Sequence, residues 1–255
     1  MNGLIGGTLG VRLLTAVNST GQLTSMPDGV PPAYQNTSKL ELLFGQQIWD
    51  EIRDKVVVDF GCGEGHQVIE LAERGARCVV GLETNWGWIA SATERVATAG
   101  LAGRCVISER WRPQDPPPDV IISLDSFEHY QDPAGVLQEM HRILTPGGIV
   151  RAAFGPPWFH PYGGHLFSVF PWAHLLFSEH AMVTWRSGLP GKGPATSLLD
   201  AGINRMSVER FERLVATSPF QFRWFDAVPI WRRRWPAWSR EFTTSIVRCT
   251  LETRR

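Results

Sequence analysis

A glycine-rich turn carries the clearest chemical signal in the sequence. The run Val56–Phe60 is apolar and β-branched apart from Asp59, and it leads directly into Gly61-Cys62-Gly63. Glycines let such a turn bend sharply and approach a ligand closely, because no Cβ stands in the way. The carboxyl ends of parallel strands form the natural ligand crevice of an α/β sheet. The pattern therefore predicts a nucleotide-like ligand above this turn.

A carboxylate and the glycine spacing narrow the choice of ligand. Glu83 follows Asp59 by 24 residues, at the end of the next apolar run, where a carboxylate can accept two hydrogen bonds from a ribose diol. A dinucleotide fingerprint has a third glycine at the sixth position, but counting from Gly61 that position is His66. The spacing disfavours NAD, and an NAD-dependent oxidoreductase is kept as the alternative.

The elements that must position these residues alternate along the chain. A helix is predicted to begin at Thr37 or Ser38 and to carry one apolar stripe as far as Ile52. Seven strands are then predicted at 56–60, 77–83, 105–107, 120–122, 148–154, 222–228 and 245–251. Helices are predicted at 67–74, 86–99, 133–144 and, capped by Ser207, 208–217. This alternation is typical of parallel strands joined by crossover helices, so we expect a doubly wound α/β fold with a mostly parallel, seven-stranded sheet.

Three segments depart from this alternation of strands and helices. Residues 1–36 are rich in Gly, Ser, Thr and Pro and are predicted to be a lead segment, with the main domain at 37–255. Within that domain, residues 155–206 cluster Pro, Gly, His and aromatic side chains, which favours an insertion that covers the acceptor site. The loop 231–235, Trp-Arg-Arg-Arg-Trp, is typical of a solvated hairpin loop or an anion contact.

Composition excludes several classes of partner. The 25 basic residues balance the 25 acidic ones, so no global field recruits nucleic acid or an anionic membrane. No apolar run approaches the roughly 18 residues of a membrane helix. The four cysteines are widely spaced and form no CxxC. We expect a cytoplasmic protein, a monomer or homodimer, with a small-molecule partner, no nucleic acid and no membrane.

Four motifs together resemble one family. They are VVVDFGCGEG at 56–65, the strand end at 81–83, the stretch SLDSFEHYQDP at 123–133, and RILTPGG at 142–148. In this order they look like the motifs of small-molecule class I methyltransferases, and the likeness covers about residues 40–155 and, more weakly, 207–252. It implies a Rossmann-like methyltransferase fold with an antiparallel last strand, and S-adenosylmethionine as the cofactor.

The resemblance also implies roles for individual residues. Gly61 and Gly63 would line the methionine moiety while Asp59 orders their turn. Glu83 would hold the ribose hydroxyls, with Thr84 beside the adenine. The remaining residues expected at the cofactor are Cys62, Arg110, Trp111, Leu124 and Asp125, and Glu109 is an alternative adenine contact to Trp111.

The acceptor side is predicted from residue types. Imidazole titrates near working pH, so His165 is the first choice of base, because Gly163-Gly164 gives it a close-approach setting, and His129 is the second. The residues expected to contact the acceptor are Tyr130, Trp158, His160 and Tyr162. No ligand spacing indicates a metal.

The chemistry expected from this site is methyl transfer to a small apolar or aromatic acceptor, with oxygen favoured over nitrogen or carbon. The stretch 124–127 is Leu-Asp-Ser-Phe and not the Asn-Pro-Pro-aromatic turn of nucleobase and glutamine N-methylating enzymes. A further alternative is a non-catalytic module that binds S-adenosylmethionine.

Overall fold

The strands lie in one sheet with a single reversal of order. A computed structural model of the chain describes residues 3–18, 37–230 and 236–254, except for the side chain of Leu166. The strands are β1 (Val56–Phe60), β2 (Cys78–Leu82), β3 (Cys105–Ser108), β4 (Val120–Leu124), β5 (Ile149–Phe154), β6 (Phe220–Pro229) and β7 (Thr244–Thr253). Their order in the sheet is β3-β2-β1-β4-β5-β7-β6. β1 to β5 are mutually parallel, and β7 is antiparallel to both of its neighbours. The predicted doubly wound sheet with an antiparallel last strand is confirmed.

The reversal of order places a crevice above the middle of the sheet. From β1 the chain moves outward through β2 to β3, and it then returns to β4 on the other side of β1. A crevice opens at such a switch point, outside the carboxyl ends of the strands. Gly61 follows β1, Glu83 follows β2 and Asp125 follows β4, so the topology brings these three positions to one edge.

Helices cover both faces of the sheet. They are α1 (Gly7–Asn18), α2 (Lys39–Phe44), α3 (Ile48–Ile52), α4 (His66–Glu73), α5 (Trp86–Thr98), α6 (Pro133–Ile143), α7 (Ala173–Leu176), α8 (Glu179–Ser187), α9 (Val208–Ala216) and α10 (Arg240–Thr243). On one face, α6 and α9 bury Leu137 and Phe211 against the sheet. On the other face, α2 to α4 bury Leu40, Ile48 and Leu71. The sheet therefore has a core on each side, as expected for parallel strands.

The single helix expected between Ser38 and Ile52 is wrong. Ser38 does cap α2, since its Oγ accepts a hydrogen bond from Glu41 N at 3.3 Å. At Gly45, however, φ is +80°, and the backbone leaves the helical region there, as is common at helix ends. The apolar stripe continues into α3, so both short helices bury the same face.

The insertion at 155–206 forms a core of its own. It contains α7, α8 and a 3₁₀ turn at His165–Phe167, and its buried aromatic residues include Trp158, Phe167 and Trp185. α1 packs on this unit, because Leu14 is fully buried in the same cluster. The division into a lead segment, a domain and an insertion stays a prediction. The 231–235 loop and residues 19–36 lie outside the described residues.

Within the described ranges, no helix combines the length and apolar character needed to cross a membrane.

Candidate functional site

A cavity of about 1030 Å³ lies at the carboxyl ends of the central strands. One wall comes from the sheet edge and contains Gly61, Gly63, Glu83 and Thr84. The same wall includes the segment 109–111. A second wall comes from the turn after β4, at the same edge of the sheet, and from the insertion; its members are Asp125, His129, Tyr130, His165, Phe167, Arg186 and residues 200–203. The volume is at the upper end of the range for small-molecule sites, about 300–1,000 Å³, so there is room for a cofactor beside a second molecule.

The glycine turn has the backbone conformation that its sequence predicts. Gly61 and Gly63 have φ values of +86° and +52°, a region that L side chains rarely adopt. A Cβ on Gly61 would collide with Ser126 Oγ, whereas a Cβ on Gly63 would meet no atom within 4 Å. Since Gly63 lines the cavity, the turn leaves open space where a ligand can approach the backbone.

Glu83 organises this turn with both carboxylate oxygens. Its Oε2 accepts a hydrogen bond from Gly63 N at 3.0 Å. Its Oε1 accepts from Thr84 N at 2.7 Å and from Asn85 N at 2.9 Å. Two carboxylate oxygens offer about four acceptor positions, so acceptor capacity remains for a sugar hydroxyl. The side chain lines the cavity and keeps 9% of its surface exposed.

Asp59 lies beneath the turn and does not line the cavity. It is 2% exposed, and its Oδ2 has no hydrogen-bond partner. Burial raises the pKa of Asp59 to about 7; the Lys39 charge opposes this and the Glu83 charge adds to it. Lys39 is also paired with Asp125. An orphaned carboxylate oxygen below the turn suits a cationic ligand group above it.

Two further residues predicted at the cofactor are buried behind this surface. Cys62 is 4% exposed, and its thiol is 3.8 Å from Gly63 O. Burial raises the pKa of the Cys62 thiol, which keeps the thiol protonated. Leu124 is buried at the end of β4 and, like Cys62, is not part of the cavity lining.

The far end of the sheet-edge wall is aromatic. Thr84, Arg110 and Trp111, which the sequence analysis expects at the cofactor, line it together with Glu109. Trp88 also lines this end and is 49% exposed, although the sequence analysis did not select it. Trp88 lies in the first turn of α5, whose N-cap Asn85 accepts hydrogen bonds from Gly87 N and Trp88 N. An exposed tryptophan one turn after the strand-end carboxylate is the signal that could have identified it.

Two imidazoles meet in the cavity. The rings of His129 and His165 are 5.2 Å apart in an edge-to-face arrangement. His129 Nδ1 is 2.7 Å from Gly202 O; because a carbonyl can only accept, Nδ1 carries a proton, and in the neutral ring Nε2 is the acceptor. His165 differs, since its Nε2 is buried without a partner. Burial, with a smaller contribution from the neighbouring His129, lowers the pKa of His165 to about 4.

Tyr130 lines the cavity but is held by the protein. Its hydroxyl donates to Phe60 O at 2.8 Å and lies 2.9 Å from Ser123 Oγ. Burial raises the pKa of Tyr130. The side chain therefore stays a neutral phenol that fixes the turn after β4 to β1.

Three residues expected to contact the acceptor do not line this cavity. Trp158 packs in the insertion core, with its ring 4.7 Å from that of His174. His160 Nδ1 accepts a hydrogen bond from Tyr162 N, and Tyr162 is 49% exposed. The aromatic run was interpreted as a pocket, but much of it packs within the insertion.

The insertion supplies lining residues that the sequence did not indicate. Phe167, Arg186 and the segment 200–203 form much of its wall. Asn204 fixes this segment, because its side-chain amide donates to Phe127 O at 2.6 Å and to Tyr130 O at 2.8 Å. No local motif marks these positions, since only the folding of the insertion brings them to the cavity. The described residues contain no group of three or more His, Cys, Asp or Glu side chains placed to hold a metal ion.

Comparison with known proteins identifies the domain. Residues 57–148 match the family described as "Methyltransferase domain". A ubiquinone biosynthesis O-methyltransferase of Pseudomonas paraeruginosa (strain DSM 24068 / PA7) is 35% identical over 99 residues, which are 38% of this chain and 42% of that protein. The chain thus matches less than half of the length of this relative.

Solved structures share the fold at low sequence identity. An S-adenosylmethionine dependent methyltransferase from Mesorhizobium loti has a TM-score of 0.51 at 16% identity, over 79% of this chain and 92% of that one. An O-methyltransferase from neocarzinostatin biosynthesis, solved with S-adenosylmethionine and 2-hydroxy-5-methyl naphthoic acid, has a TM-score of 0.52 at 15% identity, over 84% and 54%. With the motifs and the sheet order in agreement with the family match, residues 57–148 belong to a methyltransferase domain, and the sheet has the Rossmann-like methyltransferase fold.

Proposed function

We propose that this protein transfers a methyl group from S-adenosylmethionine to an oxygen atom of a small apolar or aromatic acceptor. The observation that carries the proposal is that one cavity is lined both by the glycine turn with Glu83 and by His129 and His165. The residues that would hold the cofactor and two imidazoles thus line the same cavity. The relatives named as O-methyltransferases support oxygen as the methylated atom.

The sheet-edge wall would hold the cofactor. Gly61 and Gly63 would lie against its methionine part, Glu83 would accept from its ribose, and Thr84, Arg110 and Trp111 would surround its adenine. Asp59 would balance the positive charge above the turn. Once bound, the cofactor supplies a sulfonium methyl group for an in-line displacement by the acceptor oxygen.

His129 replaces His165 as our first choice of base. A base must accept the acceptor's hydroxyl proton as the new carbon–oxygen bond forms, and it works best when its pKa is near the working pH. With a pKa of about 4, His165 holds a proton weakly. His129 presents Nε2 as the acceptor while the bond from Nδ1 to Gly202 O fixes its ring. His165 would then pack against His129 and restrict its motion.

Calorimetry and a product assay test the proposal together. S-Adenosylhomocysteine should bind, and NAD should not, in titrations of the purified protein. With S-adenosylmethionine and a panel of small phenols, mass spectrometry should detect O-methylated products, and His129→Gln should lower kcat by about 10²- to 10⁴-fold. Binding of NAD alone would support the oxidoreductase. Binding of S-adenosylhomocysteine with no turnover of any phenol, amine or carbon acid would support a non-catalytic module.

The cellular location and the oligomeric state of the protein are also proposals. All four cysteines are free thiols, which fits a reducing cytoplasm. The formal net charge of zero gives no general attraction to nucleic acid. We propose a cytoplasmic monomer or homodimer, and sedimentation of the purified chain would distinguish these two states.

A further inference from the structure

One charged residue in the insertion wall has no charged partner. Arg186, near the end of α8, lines the cavity beside Phe167, and its guanidinium carbon is 5.6 Å from the centre of that ring. Its Nε is buried and has no hydrogen-bond partner. Within the described residues, no carboxylate lies within the 4 Å of an ion pair with it. A buried N–H group that makes no hydrogen bond costs free energy, so such a group indicates a ligand.

The other charged groups of the cavity are already engaged. Asp125 is paired with Lys39, and Glu139 with Arg142. On the same wall as Arg186, Asp200 Oδ2 accepts hydrogen bonds from Thr196 N and Thr196 Oγ1. Glu109 and Arg110 are 3.9 Å apart at the opposite end. Among the described residues, Arg186 is therefore a cation of the insertion wall that makes no ion pair.

The surroundings of Arg186 define what it can bind. Apolar side chains surround the guanidinium on this wall: Phe167 and Ile203, which are 1% and 6% exposed, and the partly exposed Ala201. A guanidinium presents paired donors that match the two oxygens of a carboxylate, and it remains charged at every working pH. An apolar or aromatic body with one planar anionic group would satisfy both parts of the wall.

We propose that Arg186 makes the acceptor site selective for acceptors that carry a carboxylate. The carboxylate rests on the guanidinium, the apolar body packs on the cavity surface beside it, which includes Ala201, and a separate hydroxyl of the acceptor faces His129. This inference rests on the proposed function and narrows its acceptor to hydroxylated aryl or alkyl carboxylates. Arg186 is thus a specificity residue and takes no part in the proton transfer.

A pair of isosteric probes tests the charge preference directly. Biphenyl-4-carboxylate and biphenyl-4-carboxamide have the same shape but differ in charge, and neither carries a hydroxyl to be methylated. Calorimetry is performed on the full chain, with and without saturating S-adenosylhomocysteine. The wild-type protein should bind the carboxylate at least about tenfold more tightly than the amide, as expected for a charge-assisted pair.

Two variants assign the preference to Arg186. Arg186→Gln should weaken carboxylate binding about 10- to 100-fold and leave amide binding unchanged, whereas Arg186→Lys should keep part of the preference because it keeps the charge. Arg213→Gln, at an exposed ion pair on α9, is the matched control and should behave as the wild type. Circular dichroism and S-adenosylhomocysteine affinity should be the same in all four proteins.

The outcomes separate this inference from the proposed function. Equal binding of the two probes, binding of neither, or a preference that survives in Arg186→Gln would overturn it. A wild-type chain that fails to bind S-adenosylhomocysteine would contradict the proposed function instead, since the probes can also be titrated without the cofactor.

Discussion

At the scale of single residues, two carboxylates beside the glycine turn have opposite environments. Glu83 accepts three backbone hydrogen bonds, whereas Asp59 is buried with an unpartnered oxygen. The first holds the turn in place, and the second lies beneath the turn with its pKa raised by burial to about 7. The sequence predicted both residues, because a strand end followed by Gly-x-Gly is a local pattern. It could not reveal which carboxylate would face the cavity.

Glu83→Gln should weaken the binding of S-adenosylhomocysteine about 10- to 150-fold, the range expected when hydrogen bonds to a charged acceptor are lost. The substitution keeps the size of the side chain but places an amide NH₂ near backbone N–H groups. Calorimetry measures the change, with Glu94→Gln on the exposed side of α5 as the control. Unchanged affinity would remove Glu83 from the cofactor site.

Asp59→Asn should raise the thermal midpoint of the cofactor-free protein, and by more at pH 8 than at pH 5. The pKa of Asp59 is about 7 in the folded protein, whereas the ordinary value, expected for the unfolded chain, is 3.8. The folded protein therefore binds this proton more tightly than the unfolded chain does. Stability therefore falls as the pH rises from about 4 to 7 and is level above that window. Asparagine carries no charge, so the substitution removes the loss of stability that comes from ionising a buried carboxyl group.

Scanning calorimetry at both pH values measures this difference, and Asp50→Asn, at a highly exposed carboxylate, is the control. An equal effect of Asp59→Asn at pH 5 and pH 8 would contradict the shifted pKa.

At the scale of elements, α1 depends on a close approach to α8. A Cβ added to Gly10 would lie 2.9 Å from Ala181 Cβ and 3.1 Å from Ile5 O. Leu14, one turn later, is fully buried. α1 is thus packed on the insertion. We therefore expect that a change that unfolds the insertion also displaces α1.

Gly10→Val should displace α1 without affecting the cofactor wall. The added methyl groups cannot fit against Ala181 without a shift of the helix. Tryptic cleavage after Arg12, followed by mass spectrometry, should become several-fold faster, while the affinity for S-adenosylhomocysteine stays that of the wild type. Thr8→Val, an equally branched substitution at an exposed position of α1, should change neither, and equal cleavage rates for Gly10→Val and the wild type would rule out this packing role.

The elements of the sheet were predictable, and those of the insertion were not. Buried β-branched runs that alternate with amphipathic stretches set the limits of β1 and α5 to within about a residue, because both patterns are local. The break at Gly45 was missed, since one apolar stripe runs through both α2 and α3. In the insertion, apolar and polar residues follow no single period, so its three short helical segments depend on packing that sequence spacing does not encode.

At the scale of the whole molecule, the cavity joins two parts of the chain that were predictable to different degrees. The sheet-edge wall follows from motifs, so Gly61, Gly63, Glu83 and Thr84 could be placed before the structure was known. The insertion wall depends on tertiary packing, and Arg186 and Asp200 had no local signal. Trp158 and Tyr162 were favoured there as acceptor contacts, but Trp158 packs in the core of the insertion and Tyr162 is 49% exposed.

Hydrogen exchange should therefore report the two walls separately. S-Adenosylhomocysteine alone should slow exchange in segments 61–65, 83–88 and 109–111. Adding biphenyl-4-carboxylate should then slow exchange at 165–167 and 200–203, with β7 unchanged as an internal reference. If the first ligand protected both walls equally, one molecule would occupy the whole cavity, and a separate acceptor region would have to be abandoned.

The position of β7 has a consequence for biosynthesis. This strand separates β5 from β6 and pairs with both, yet it is the last of the seven to leave the ribosome. Until then β5 exposes one side of its backbone and β6 has no partner, so a nascent chain can assemble β1 to β5 but presents an open edge. Such an edge invites pairing with other unfinished chains, and chaperone demand should thus peak just before Thr244–Thr253 emerges.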